Sequence, residues 1–240
     1  MTVAFLDTKG LSYKHNSLTH DSVGGSEAAV LNLSKDLTAL GHQVYVFHNC
    51  DEEGVFDNIT FLDYKKVNTI TKTFDILVGS RTLYGFDITS PYYIKAKKNI
   101  FWMHDYFLHE ETGYSFEDVT TFLNQGVIDY IFTLSDWHTN HILNSLGQRT
   151  HTHYNDIDLQ NGFAIYKDRI IQTRNGFKPW NVEIQLPKKN KNKLVYFSNL
   201  GRGLHQLLEH WNIIKLAMPN IELHVIGGAY KQDSQKLEWL

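Results

Sequence analysis

The stretch His20–Phe47, HDSVGGSEAAVLNLSKDLTALGHQVYVF, decides how the rest of the chain is read. Val30, Leu33, Leu37 and Leu40 recur at helical spacing, so Ser26–Leu40 is expected to be a helix, closed by Gly41 as its C-terminal cap. Gln43–His48 is β-branched and aromatic, the composition of a strand. Upstream, Thr2–Asp7 is a short apolar run broken by a carboxylate, which suits a buried parallel strand. Between that strand and the helix lies a long polar loop, Lys9–Gly25, and long loops in compact domains are often functional. At its end stand Gly24 and Gly25, followed by Ser26 and Glu27. Glycines let backbone N–H groups approach an anion, and a helix start adds unpaired donors and a favourable dipole. The competing reading is an ordinary cap, with Ser26 as N-cap and Glu27 matching the dipole. That reading leaves the two glycines unexplained.

The alternation continues downstream. Ile59–Tyr64, Asp75–Ser80, Asn99–His104 and Asp129–Ser135 read as strands, and Ser90-Pro91 as an N-cap with a first-turn proline. Asp136–Leu146 is a helix capped by Gly147, and Ile170–Arg174 a strand ended by Asn175-Gly176. Over 178–193 the composition then shifts to KPWNVEIQLPKKNKNK, polar and lysine-rich, and a linker is expected over 178–192. The pattern restarts with strand Leu194–Ser198, helix Gly203–Leu216 and strand Ile221–Ile226. The expected fold class is therefore α/β, with two Rossmann-like parallel-sheet domains over 1–177 and 193–240. The second holds fewer strands than a stable open sheet normally has.

Composition excludes several classes. The 240 residues carry 23 basic and 26 acidic side chains, a net charge of −3, which is no footprint for a nucleic-acid partner. Cys50 is the single cysteine, so there is no internal disulfide and no multi-cysteine zinc site, and a reducing, cytoplasmic setting is expected. The N-terminus of this sequence lacks a basic n-region and a long apolar core, so no signal peptide is expected in it. His138 and His141 share a helix face, but no carboxylate or cysteine stands at ligand spacing, so no metal is expected.

In open α/β sheets ligands bind beyond the carboxyl ends of the strands. That rule selects Gly24, Gly25, Ser26, Arg81, His104, Asp105, Ser135 and Asn175, and then Ser198 to Gly203. His104 closes a strongly apolar strand, where an imidazole can bind a hydroxyl or move a proton, and Asp105 can orient a substrate. Arg202 precedes Gly203 at a second strand–turn–helix passage, where a guanidinium suits a diphosphate through charge-assisted, bidentate bonds. The alternative there is a solvated surface arginine. Gly201-x-Gly203 supplies two glycines of a dinucleotide fingerprint, but Gln206 occupies the third position, which disfavours an oxidoreductase.

Taken together these segments resemble GT-B glycosyltransferases of the group 1 type, family GT4. GGSEAAVLNLSKDLTALGHQVYVF is similar to the family's opening loop, helix and strand, and FTLSDWHTNHIL to a late segment of its first domain. RNGF, Arg174–Phe177, resembles the element before the interdomain crossing, and VYFSNLGRGLHQLLEHW the start of the donor domain. The resemblance implies two domains facing across a cleft, with the acceptor, a glycan or glycoconjugate, mainly on the first. It implies retaining transfer from a UDP- or GDP-sugar with no obligatory cofactor or metal. By the same resemblance Gly24, Gly25, Ser198, Arg202 and Gly203 lie at the donor diphosphate, His104 near the donor sugar with Asp105 beside it, and Ser26, Arg81, Ser135 and Asn175 along the cleft. Two departures stand out. Ser198-Asn199 replaces the family's strand-end arginine, and the paired glutamates E-x7-E are expected beyond residue 240, since Glu222 and Glu238 do not reproduce them. An inactive nucleotide- or sugar-binding module, whose second domain is completed by a second copy or a partner chain, is the alternative.

Overall fold

The computed structural model describes residues 1–20, 23–105, 108, 114–147, 165–176, 190–198 and 201–226. It divides into two compact units, Met1–Lys178 and Pro179–Leu240. Unit 1 holds an eight-stranded sheet built from β1 (Thr2–Asp7), β2 (Gln43–His48), β3 (Gly54–Phe56), β4 (Ile59–Asp63), β5 (Phe74–Ser80), β6 (Ala96–Trp102), β7 (Tyr130–Thr133) and β8 (Ile170–Gln172). The strand order is β3-β4-β2-β1-β5-β6-β7-β8, and every pairing is parallel except β3 with β4.

The sheet is buried on both faces, as parallel sheets require. Side chains alternate along each strand, so Val3 and Phe5 of β1 and Val44 and Val46 of β2 point into one core. That core is closed by Val30 and Leu31 of α2 (Gly25–Ala39), which follows the short α1 (Ser17–His20). Ala4, Leu6 and Phe47 point the other way and pack with Phe101, Val119, Leu123 and Ile142. The last three belong to α3 (Phe116–Asn124) and α4 (Asp136–Gly147). Each fully buried Leu, Ile or Phe contributes about 1.5–3 kcal/mol.

Three local features depart from the sequence reading. Ser90-Pro91 opens no helix: Asp87 closes a turn onto Thr89, Ser90 N–H donates to Asp87 O at 2.9 Å, and the chain enters β6 instead. The hairpin β3–β4 was not expected; Asp57 and Asn58 both take positive φ at its tip, the backbone of a two-residue hairpin turn. α3 was not expected either, although Ser115 and Asp118 form a capping box at its start.

Unit 2, in its described part, is a parallel pair of β9 (Lys193–Tyr196) and β10 (Glu222–Val225) with α5 (Leu204–Glu209) and α6 (Trp211–Ala217). The single helix expected over Gly203–Leu216 is thus two, parted at His210, whose N–H turns back to Gln206 O at 3.3 Å. Leu204 and Ile221 are its buried apolar side chains, while Phe197, Leu216 and Ile226 are exposed. No described helix is long and apolar enough to cross a membrane.

Candidate functional site

From β1 the chain runs outward through β2 and β4, then returns to place β5 on the other side of β1. The switch point lies between β1 and β5, where open α/β sheets leave a crevice at the strands' carboxyl ends. Asp7 ends β1 there and Arg81 follows β5. Their side chains meet, and with Glu27 of α2 they form a buried charged cluster.

Asp7 is fully buried, and its Oδ1 accepts from Gly10 N–H at 2.8 Å and Lys9 N–H at 3.2 Å, which folds the start of the long loop back over the strand. Gly10 is needed there, because a Cβ would stand 2.5 Å from Asp7 Oδ2. Arg81 has φ of +59°, the left-handed region that costs an ordinary residue strain. Its N–H is held by Trp102 O at 3.1 Å, and its Nη2 donates to Glu27 Oε1 at 2.9 Å and reaches Asp7 Oδ1 at 3.5 Å.

Glu27 completes the cluster. Oε1 also accepts from Leu11 N–H at 3.1 Å, and Oε2 accepts from the Ser26 hydroxyl at 2.9 Å. Burial pushes the Glu27 carboxyl up, but Arg81 with the hydrogen bonds from Glu27's own N–H, Ser26 and Leu11 brings it below the ordinary carboxylate range. Asp7 goes the other way: burial, aided by Glu27, outweighs Arg81 and raises its carboxyl. Burial opposes the Arg81 charge, but Asp7 and Glu27 together raise its pKa further.

This geometry separates the two glycines. Helix α2 begins at Gly25, with Gly24 as its N-cap, so Ser26 lies inside the first turn and is not the cap the sequence suggested. A Cβ on Gly24 would collide with Glu27 Oε2, whereas a Cβ on Gly25 would meet nothing. Gly24 makes room for the Glu27 carboxylate, and Gly25 fronts open space.

Around the cluster, among the described residues, buried polar atoms lack hydrogen-bond partners: Asp7 Oδ2, Arg81 Nε, Tyr13 Oη, Trp102 Nε1 and both ring nitrogens of His104. Such groups are rare in folded proteins, and these gather near the carboxyl ends of β1, β5 and β6. His104 is brought to about 4 by burial and the nearby Arg81, so its imidazole is neutral near pH 7. His48 is likewise brought to about 4 by burial, beneath the Tyr13 ring stacked on it at 3.9 Å. Burial pushes the Tyr13 hydroxyl well up.

The remaining candidates are scattered. Asp105 O lies 3.0 Å from His138 Nε2, and Ser135 Oγ accepts from His138 N–H at 3.1 Å in the first turn of α4. Asn175 is exposed. In unit 2, Ser198 is half-buried, Arg202 is exposed, and Gly203 caps α5 with φ of +98°. Asp7, Glu27, Tyr13 and His48 were not singled out from the sequence. The signals for the first two were a carboxylate ending an apolar strand and an N3 glutamate three residues after the glycine, the spacing of a capping box. Among the described residues no group of three or more His, Cys, Asp or Glu could hold a metal ion.

The chain is thus a Rossmann-like α/β protein with a buried charged cluster at the switch point of its large sheet. No protein-family model and no curated protein matches it. Among solved structures, it is similar to Anabaena HepE crystallised with UDP and glucose, and to the same protein with UDP-glucose. The TM-scores are 0.56 and 0.55 at 14% identity, covering 98% of this chain. It spans 63% and 64% of those chains, a little under two thirds of their length.

Proposed function

We propose that this protein works in glycosyl transfer from a nucleotide sugar, as a GT-B enzyme of the GT4 type. The observation that carries the reading is the switch-point cluster of Asp7, Arg81 and Glu27 with a neutral His104 beside it. It sits in a fold shared with a protein that has been crystallised with UDP-glucose. In this reading unit 1 receives a glycan or glycoconjugate acceptor and presents His104 and Asp105 to the reacting sugar. A neutral imidazole with unpartnered ring nitrogens can accept from one sugar hydroxyl and donate to another. Ser26, Ser135 and Asn175 are assigned to the same edge.

The donor diphosphate is assigned to Ser198, Arg202 and Gly203, with Gly24 and Gly25 as unit 1's contribution in the sequence reading. Arg202 would stabilise the charge that develops as the diphosphate departs, so the retaining transfer proceeds without a metal. The setting is cytoplasmic. A second reading, a nucleotide- or sugar-binding module without transfer, is favoured by unit 2, whose described part has two strands and exposes Phe197, Leu216 and Ile226.

Calorimetric titration of the chain with UDP, GDP, UDP-glucose and GDP-mannose tests the reading. Saturable binding of one nucleotide, lost in Arg202→Ala, is the expected result, and donor-dependent sugar transfer separates enzyme from binding module. No binding at millimolar nucleotide would overturn the transferase reading and the nucleotide-binding form of the second.

A further inference from the structure

The backbone ladder between β6 and β7 stops one residue short of His104. Met103 N–H still donates to Phe132 O at 2.9 Å, and on the other side Arg81 N–H donates to Trp102 O at 3.1 Å. Beyond that point the chain leaves the sheet, and Asp105 meets α4: its carbonyl oxygen lies 3.0 Å from His138 Nε2. His104 therefore stands between two backbone anchors, one in the sheet and one on a side chain. Its own imidazole makes no hydrogen bond among the described residues and rests on Trp102, with ring centroids 4.5 Å apart. Where that ring points is decided by its backbone and by that packing.

The second anchor is rigid. His138 is 5% exposed, in the first turn of α4. Its N–H donates to Ser135 Oγ at 3.1 Å, and the Thr139 hydroxyl lies 2.6 Å from that of Thr133 in β7, which seats the start of α4 on the sheet. The imidazole then has one consistent protonation pattern. Leu134 N–H can only donate, and it reaches His138 Nδ1 at 3.3 Å, so Nδ1 accepts and carries no proton. The proton is on Nε2, facing an Asp105 carbonyl that can only accept. Burial lowers the His138 pKa and His141 adds to that effect, while the hydrogen bond to Asp105 O and the Asp105 charge oppose it. The net direction favours the neutral ring that this pattern needs.

We propose that His138 is a positioning residue for His104 and Asp105: its Nε2–H clamps the Asp105 carbonyl to α4 and so fixes how the strand-end imidazole is presented to a ligand. A functional side chain keeps its geometry through the hydrogen bonds behind it. That His138 acts on a reacting sugar through His104 rests on the transferase reading; the clamp itself does not.

Two amide substitutions separate the two bonds. An Asn side chain places its amide at the level of Nδ1 and can still accept from Leu134 N–H, but it falls short of Asp105. A Gln side chain is one carbon longer and brings an N–H donor to the level of Nε2. Both remove the ring, so its loss cancels in the comparison. In the full chain labelled with 15N, the wild-type His138 imidazole should show a protonated Nε2 and a bare Nδ1. The opposite tautomer would overturn the proposal. In His138→Asn the ring nitrogens of His104 and the amide of Asp105 should shift, and in His138→Gln they should return towards their wild-type positions. Equal displacement in the two folded variants would also overturn it. Hydrolysis of UDP-glucose to glucose and UDP carries the clamp into the chemistry: kcat should fall about tenfold in His138→Asn at an unchanged KM and recover in His138→Gln. A wild-type kcat in His138→Asn would show that the clamp does not serve the reaction. A chain that neither binds nor cleaves UDP-glucose loses the transferase reading, while the tautomer and the contrast between the variants still decide the clamp.

Discussion

Two turns in this molecule have the same outline, glycines leading into a helix, and opposite constructions. At Gly24-Gly25 the turn opens a helix of 15 residues, beside two buried carboxylates and one half-buried guanidinium. At Gly201-Arg202-Gly203 the helix has six residues, and the arginine stands in solvent. Gly24 is required for space, since Glu27 takes the place of a side chain. Gly203 is required for conformation, since its φ is +98°. Glycines at a strand–helix passage therefore do not by themselves announce a phosphate site; the charges behind them decide what the turn can take.

The sharpest contrast is between the two arginines. Arg81→Met removes the guanidinium shared by two buried carboxylates and should cost about 3–5 kcal/mol of unfolding free energy, read by urea denaturation. Arg202→Ala should change stability by no more than about 0.5 kcal/mol, because the side chain is exposed. A mild Arg81→Met would mean that the cluster is not the keystone of the first turn, and the contrast would collapse.

Acid should act on the first region as well. His48 and His104 are held at about 4 in the folded protein, against 6.5 for the free side chain. Each therefore adds stability that is fully present above pH 6.5 and is lost as pH falls from there through 4. Between pH 7 and 4.5 the loss amounts to about 2.5 kcal/mol per imidazole. His48→Phe keeps a ring under Tyr13 and should remove its share of that loss. The raised Asp7 carboxyl works in the opposite sense, so the diagnostic quantity is the difference between wild type and variant. An unchanged acid response in His48→Phe would show that this imidazole is not held neutral by burial.

Gly24→Ala drives a Cβ onto Glu27 Oε2 and should cost about 1–2 kcal/mol, through the hydrogen bonds the displaced carboxylate gives up. That such a carboxylate sits there shows where sequence reading stops. β1 and β2 were legible to the residue, Thr2–Asp7 and Gln43–His48, because continuous apolar runs of that length have few other uses. Arg81 and His104 were legible as strand-end residues of such a sheet. The bond from Arg81 to Glu27 spans 54 residues of sequence, and no local pattern encodes it. Nor does periodicity reveal that the Ser26 hydroxyl turns to Glu27 instead of capping the helix. The β3–β4 hairpin shows the opposite failure: its Asp57-Asn58 tip was written in the sequence, but the three-residue strand before it is too short to carry a pattern.

The smallest effect sharpens the comparison most. Gly25 is the first residue of α2, in ordinary helical territory, with nothing within 4 Å of where its Cβ would lie. Gly25→Ala restricts the unfolded chain and favours the helix, so it should be neutral or stabilise the protein by up to about 1 kcal/mol. The neighbouring glycine, given the same methyl group, should lose a comparable amount. Opposite signs at adjacent positions, measured by thermal and urea unfolding of the two single variants, follow only if one glycine makes room for a buried carboxylate and the other does not. A loss at Gly25 as large as at Gly24 would return both to a single structural role, and Glu27 would no longer be what sets the first turn apart from the second.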